Sequence, residues 1–487
     1  MSINYRSSSL LMRLAMAILF LNSGCAKQNI LQNEKLALNN DLSTLAVLAT
    51  NIYYVSPTGL DTNPGTIDLP FLTIQRAQTA CVPGDIVYIR GGNYVMQTAQ
   101  IARTETLYAI VTYLDKSGTA SARIQYLAYP GEKPVFDFSN VTPADKRITA
   151  FMVKGSYITI KGLDVKGVKV TITAHTQSEC FRNEGSNNIY EALKMHDGMA
   201  NGFYLTKGGN NLILNCDAWN NWDNVSENQK GGNVDGFGCH PNNDGVGYTG
   251  NVFRGCRAWL NSDDGFDCIN AFESITFENC WAFNNGYSSA MVSLGDGNGF
   301  KIGGFGVTNF TNLPAVIPRH NVRFCLAVNN KSSGFYANHH LGGSNWYNNT
   351  ALKNAVNFNM LNRSSDYASD VAGYGHNLNN NLGYKARSTE LSNLNLTLST
   401  ASNNYFQLST ITVNDSDFLS QTESLLTQGR HSDFTLPTND FMRLVSGSDL
   451  IDKGVNLGFT FTGVSPDLGC FEFGINKSPI PSGPVAP

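Results

Sequence analysis

Five stretches in the middle of the chain align without a gap: NCDAWNN (215–221), GCRAWLN (255–261), NCWAFNN (279–285), FCLAVNN (324–330) and NNTALKN (348–354). Their second position holds Cys216, Cys256, Cys280, Cys325 and then Asn349. Two residues on, every copy has alanine: Ala218, Ala258, Ala282, Ala327 and Ala351. Every copy ends on asparagine: Asn221, Asn261, Asn285, Asn330 and Asn354. A second motif alternates with the first: NGFY (201–204), DGFG (235–238), DGFD (264–267), NGFK (298–301) and SGFY (333–336).

The shortest step between copies is 24 residues, from Cys256 to Cys280 and from Cys325 to Asn349. The longer steps, 40 and 45 residues, carry inserts such as WDNVSENQKGG and GVTNFTNLPAVIPRH. Runs such as YITIKGLDVKG and SITFENCWAF read as short strands, and long amphipathic helical periods are scarce. A unit of this size built from short strands fits a right-handed parallel β-helix, an all-β solenoid. Each coil would hold about three strands and stack on the next at about 4.8 Å. Equivalent residues then pile into columns. The Cys and Ala columns are small enough to point inward, the asparagines fall at a turn, and the phenylalanines of the GF pairs form an internal stack. At 42% hydrophobic and 15% charged, the chain has ample apolar material for such a core.

The β-helix is expected over 51–475. DLPFLTIQRAQTACVPGDIVYIRGGNY (68–94) reads as a helix and a strand, the helix capping the open N-terminal end of the core. Residues 448–474 read as the closing segment at the other end. Before the solenoid, Arg6, Arg13 and LAMAILFLNSGC read as an export signal over 1–25, with an apolar run short for a bilayer span. The SGC ending resembles a lipoprotein cleavage site with Cys25 as the acylated residue, although Asn22 departs from the usual aliphatic residue. Residues 26–50 read as a polar tether and 476–487 as a Pro-rich tail. These features predict an exported protein: an outer-membrane lipoprotein, periplasmic or on the cell surface, or a secreted one. Its only membrane contact would be a lipid at Cys25. No CxxC pair occurs among the ten cysteines, so a zinc ribbon is not expected, and the Cys column reads as buried free thiols. The net charge of −4 gives no bulk attraction to nucleic acid. A monomer is expected.

The columns also gather charge. The residues before the GF pairs run Asn201, Asp235, Asp264, Asn298, Ser333, so Asp235 and Asp264 are neighbours on adjacent coils. The residues after the pairs run Tyr204, Gly238, Asp267, Lys301, Tyr336, so Asp267 and Lys301 adjoin on the outer face. Asp263 lies in the turn beside Asp264. Four carboxylates on one surface patch cannot all stay ionised without a cation. Ca²⁺ suits several oxygen ligands in flexible geometry better than Mg²⁺ does. The bland alternative is an acidic turn with Lys301 as its ion-pair partner. A lysine beside such a cation suits abstraction of the C5 proton of a uronic acid. The cation bridges the carboxylate and stabilises the charge that develops, and it lowers the lysine pKa. Elimination then breaks the bond at O4 and leaves a 4,5-unsaturated sugar.

The segment NCDAWNN…GGNVDGFG…NVFRGCRAWLNSDDGFD…NCWAFNNG…GNGFKIGG (215–304) resembles the core of the family 9 polysaccharide lyases, pectate-lyase-like right-handed β-helices. The resemblance implies a lysine base, at Lys301, and one calcium held by four aspartates, at Asp235, Asp263, Asp264 and Asp267. It further implies an acidic plant cell-wall polysaccharide of the pectic class as substrate. Polygalacturonate is placed first here, and rhamnogalacturonan is the alternative with the same mechanism.

Other candidates stay open. Arg257 could hold a substrate carboxylate or pair with Asp217. His339 and His340 could line the groove or be surface histidines. Trp219 and Trp259 share a column and could stack on each other or on sugar rings. The rival functions are a β-helix glycoside hydrolase using two of the carboxylates and a non-catalytic carbohydrate-binding solenoid.

Overall fold

The computed structural model describes residues 50–475 apart from 175–176, 227, 307–312 and 367–368. The export signal, nearly all of the tether and the Pro-rich tail lie outside the described residues. Within them the chain winds into a right-handed parallel β-helix with three faces, a twelve-stranded, a ten-stranded and an eleven-stranded sheet, parallel except where the edge strand Arg103–Thr104 of the last runs antiparallel. One coil runs Leu212–Leu214, Asp217–Trp219, Phe237–Cys239, and the next Asn251–Arg254, Arg257–Trp259, Phe266–Asp267.

The strands are short because the sequence turns the chain at fixed places. The residue before the Cys column has positive φ in every copy: Asn215, Gly255, Asn279, Phe324 and Asn348. So does the residue before the closing asparagine: Asn220, Leu260, Asn284, Asn329 and Lys353. The strand of each of these five copies, in the ten-stranded sheet, is thereby limited to three residues between two left-handed corners, a conformation that Asn and Gly adopt at least cost. The recurring NN pairs are therefore a corner residue followed by a ladder residue.

The ladder is continuous. Asn261 Nδ2 donates to Asn285 Oδ1 (3.1 Å), Asn285 Nδ2 to Asn330 Oδ1 (2.9 Å) and Asn330 Nδ2 to Asn354 Oδ1 (2.9 Å), all buried. Inside the solenoid the GF phenylalanines stack face to face: Phe237 on Phe266 at 4.9 Å, Phe266 on Phe300 at 4.8 Å and Phe300 on Phe335 at 5.1 Å. Phe277, from the twelve-stranded sheet, meets this stack edge-on, and each such aromatic pair adds about 0.5–1.5 kcal/mol beyond area burial. Cys216, Cys256, Cys280 and Cys325 are buried free thiols.

The helix Ile74–Ala80, N-capped by Thr73, buries Ile74, Ala77 and Gln78 and closes the N-terminal end of the core. The C-terminal segment departs from expectation. It does not lie over the other end. Leu450, Leu468, Cys470 and Phe471 pack with Phe418, Leu426 and Phe441 along the outside of the ten-stranded sheet, against Trp281, Phe283, Leu326, Leu352 and Leu382. Those outward positions are apolar because this segment covers them.

Candidate active site

The eleven-stranded sheet carries the carboxylates. At the turn leading into its strands, a second side-chain ladder runs up the stack. The backbone N–H of Asp235 donates to Asn201 Oδ1 (2.7 Å), that of Asp264 to Asp235 Oδ1 (3.1 Å), that of Asn298 to Asp264 Oδ1 (2.6 Å) and that of Ser333 to Asn298 Oδ1 (3.1 Å). Asp235 and Asp264 thus stand where an Asn-type ladder needs only an acceptor. Their Oδ1 atoms keep the ladder, and each has a second oxygen where Asn201 and Asn298 carry an amide nitrogen.

Asp263 is held from both sides. Asn233, at the end of the 222–234 loop, donates its N–H to Asp263 Oδ2 (2.6 Å). Asp296, in the 286–297 loop, donates to Asp263 Oδ1 (2.7 Å). Both inserts are therefore tied to one carboxylate, and the short turn 261–265 lies between them. The four aspartates do not form the open surface patch expected from the sequence. Asp264 is fully buried, and Asp235, Asp263 and Asp267 are 3–5% exposed, because the inserts rise around a turn that alternation alone places at the surface.

Lys301 completes the group. Its strand pairs in register with Phe266–Asp267, and Nζ lies 3.0 Å from Asp264 Oδ2 and 3.3 Å from Asp267 Oδ2. Burial pushes the Asp264 carboxyl up to about 8; Lys301 opposes the rise, and Asp263 and Asp267 add to it. Asp235 is pushed well up by burial and then by Asp267 and Asp263. Burial works against the Lys301 ammonium, but the surrounding carboxylates outweigh it and hold its pKa well above the usual lysine value.

The donor set suits a hard divalent cation. Oxygens of Asp235, Asp263 and Asp264 lie within 4.8 Å of one another. Asp264 Oδ2 is buried and receives no directed hydrogen bond. Asp267 gives Oδ1 to the Ile269 N–H, which leaves Oδ2 to its ion pair with Lys301. Calcium binds six to eight such oxygens at about 2.3–2.6 Å, and a cation there would supply the charge that four buried carboxylates lack.

The remaining candidates sort clearly. Arg257 forms a two-pronged pair with Asp217 (2.9 and 2.8 Å), also donates to Leu426 O and Gln428 O, and shares Asp217 with Arg430. It clamps the C-terminal segment to the solenoid. Trp219 and Trp259 stack on each other at 4.9 Å, so their faces are taken. His340 is not a surface residue: it is buried, bonded to Pro318 O and the Gly304 N–H. His339 pairs with Asp370 at the rim (2.8 Å). Sequence reasoning missed His240. Its Nδ1 contacts Ile269 O (2.8 Å), and its ring stands beside the cluster, where one ligand atom each of Asp235, His240 and Asp267 lie within 4.8 Å of one another. The signal was present: position 240 has the outward parity of 238, and follows Asp235 by five residues.

Residues 53–381 match the family described as Pel9A-like, right-handed β-helix region. Pectate lyase L of Dickeya dadantii is 32% identical over 434 residues, 88% of this chain and 92% of that protein. Pectate lyase PEL9 of Emericella nidulans is 33% identical over 335 residues, 64% of this chain and 76% of that protein. A solved rhamnogalacturonan lyase shares 49% identity with a TM-score of 0.78, covering 81% of this chain and 97% of its own. The crystal structure of pectate lyase Pel9A shares 31% identity with a TM-score of 0.70, covering 88% and 98%.

Proposed function

The chain belongs to the Pel9A-like right-handed β-helix family and is a polysaccharide lyase; from that premise we propose that it cleaves the rhamnogalacturonan backbone of pectin by calcium-dependent β-elimination, with Lys301 as the base. The observation that carries the mechanism is the placement of Lys301 Nζ beside Asp264 and Asp267 at 3.0 and 3.3 Å. A protonated lysine has no lone pair to ligate a cation and a hard cation such as calcium prefers oxygen donors, so its place among the carboxylates calls for another role. Asp235, Asp263, Asp264 and Asp267 would hold the calcium. Bound there, calcium would grip the substrate carboxylate, acidify the C5 proton and neutralise the aspartates that keep Lys301 protonated.

The chain's own residues account for the rest. The buried column of the sheet fixes the lysine stem, so Nζ is presented at one height along the face. As the neutral amine, Lys301 accepts the C5 proton. The C5 electron pair forms the C4=C5 double bond, and the C4–O4 bond breaks with its pair going to O4, which takes a proton as it leaves. The low exposure of the lysine side chain, 12%, limits competition from water for the amine.

The substrate order differs from that given by sequence alone, which put polygalacturonate first. Identity of 49% to a rhamnogalacturonan lyase, against 31–33% to pectate lyases, supports the alternating rhamnose–galacturonate backbone. Initial rates on the two polymers, followed by absorbance of unsaturated product with and without chelator, test both parts. Faster turnover of polygalacturonate would reverse the substrate order, and chelator-resistant turnover would remove calcium. We also read the export signal and Cys25 as addressing the enzyme to the cell envelope. Unchanged membrane association of a Cys25→Ala protein would refute the lipid anchor.

A further inference from the structure

The outward column of the eleven-stranded sheet runs Arg182, Tyr204, Gly238, Asp267, Lys301, Tyr336 on successive coils. Five of these carry a side chain onto the face where Lys301 stands. Gly238, directly beneath Asp267, does not. A Cβ at 238 would come within 2.6 Å of Tyr204 Cδ2 and 3.0 Å of His240 Nε2. The Tyr204 ring therefore fills the space over Gly238 from the coil below, and His240, just past the end of the strand Phe237–Cys239, closes on it from the side. The two rings stand 5.1 Å apart at 41°.

His240 is fixed in this pose. Its Nδ1 lies 2.8 Å from Ile269 O, and a carbonyl oxygen only accepts, so Nδ1 carries the proton. Nε2 makes no hydrogen bond among the described residues, and one nitrogen of the ring lies within 4.8 Å of carboxylate oxygens of Asp235 and Asp267. The face over Gly238 is thus formed by the partly exposed Tyr204 ring and His240, whose Nε2 makes no hydrogen bond, with Asp235 on the same coil and Asp267 on the next, about 4.8 Å away. That combination suits a sugar, whose ring offers apolar C–H groups to an aromatic side chain and hydroxyls to a polar atom.

We infer that His240 is a substrate-positioning residue: the exposed edges of Tyr204 and His240 receive the sugar adjoining the one attacked, with Tyr204 beside its ring and His240 Nε2 hydrogen-bonded to one of its hydroxyls. This rests on the lyase reading above. A hydroxyl can donate to a bare Nε2 or accept from Nε2–H, so the contact holds for either proton count. A role as calcium ligand is the competing assignment, and calcium prefers oxygen donors.

The test is calorimetry with a rhamnogalacturonan oligosaccharide and, separately, with calcium alone. Lys301→Ala protein serves as the parent, so that the sugar is not consumed. Adding His240→Ala is expected to weaken oligosaccharide binding roughly tenfold and to leave calcium affinity within about twofold. Adding His240→Gln, whose amide reaches near the Nε2 position, recovers most of the affinity. Equal oligosaccharide affinity with and without His240, a parallel loss of calcium binding, or a Gln variant no better than Ala would each overturn the assignment. The two readings fail separately. Wild-type protein that yields no unsaturated product removes the lyase reading, whereas unchanged sugar affinity removes His240 alone.

Discussion

Lys301 Nζ stands 3.0 Å from Asp264 Oδ2, a fully buried carboxylate oxygen that receives no directed hydrogen bond. The contact has two readings, and they separate on one substitution. As a plain ion pair, Lys301→Arg keeps the charge and most of the function. As a base, it cannot be replaced by Arg, which stays protonated at any working pH. We expect Lys301→Arg and Lys301→Ala both to fold, to bind calcium, and to lose at least about a hundredfold in turnover. Near wild-type turnover by the Arg protein would take Lys301 out of the mechanism.

The Asn-type ladder through Asp235 makes a second prediction. Its Oδ1 accepts the Asp264 N–H, and an asparagine would do the same. Asp235→Asn should therefore leave the solenoid intact and, in calcium-free buffer, no less stable, since one of four crowded carboxylates is gone. Calcium affinity should fall at least about tenfold with the lost ligand charge. Calcium titration alongside thermal melts reads both, and a collapse of the fold would show that the carboxylate itself is structural.

These two tests also show how far the sequence could be read. The columns were legible because every coil repeats the same few residues, so a gapless alignment already gives side-chain neighbours such as Asp267 and Lys301. Depth was not legible. Asp263 is buried by N–H groups from two inserts that repeat nowhere else. Nor was the clamp of Arg430 on Asp217, 213 residues away, because the C-terminal segment carries no repeat to align. His240 escaped because Gly238, whose missing side chain lets the Tyr204 ring and His240 close in, reads as an ordinary member of a GF motif.

A third prediction concerns acid. His376 is buried, accepts at Nδ1 from the Ser344 N–H (3.0 Å) and Trp346 Nε1–H (3.2 Å), and bonds through Nε2 to Asn362 Oδ1 (2.9 Å). Burial, then the His340 and Arg319 charges, push its pKa down to about 3. In the unfolded chain it titrates near about 6.5. The unfolded state therefore takes up the proton first, so this contribution is complete above about pH 6.5 and is lost as pH falls from there toward 3, a matter of a few kcal/mol. Urea midpoints across that window should fall less steeply for His376→Asn than for wild type. Parallel slopes would exclude His376 as a source of acid sensitivity.

The last prediction uses the other ladder, where the same exchange of amide for carboxylate should fail. Asn285 Oδ1 accepts from the Asn261 N–H (3.2 Å) and Nδ2 (3.1 Å), while its own Nδ2 donates to Ala258 O (3.0 Å) and Asn330 Oδ1 (2.9 Å). Both ends of the amide are committed inside the solenoid. Asn285→Ala leaves these groups buried without partners, at a cost of about 2–4 kcal/mol. Asn285→Asp keeps the acceptor end but turns an oxygen toward two other oxygens, so it should be no more stable than the Ala protein, and its loss should deepen as pH rises and the carboxylate ionises. At Asp235 and Asp264 the aspartate is tolerated because its second oxygen lies among the neighbouring carboxylates, and at Asp264 beside Lys301, where a cation can balance it, not against a core carbonyl. Denaturant unfolding of the three proteins decides the matter: an Asn285→Asp protein as stable as wild type would mean that the ladder depends on acceptors alone, and would remove the structural distinction drawn here between the two columns.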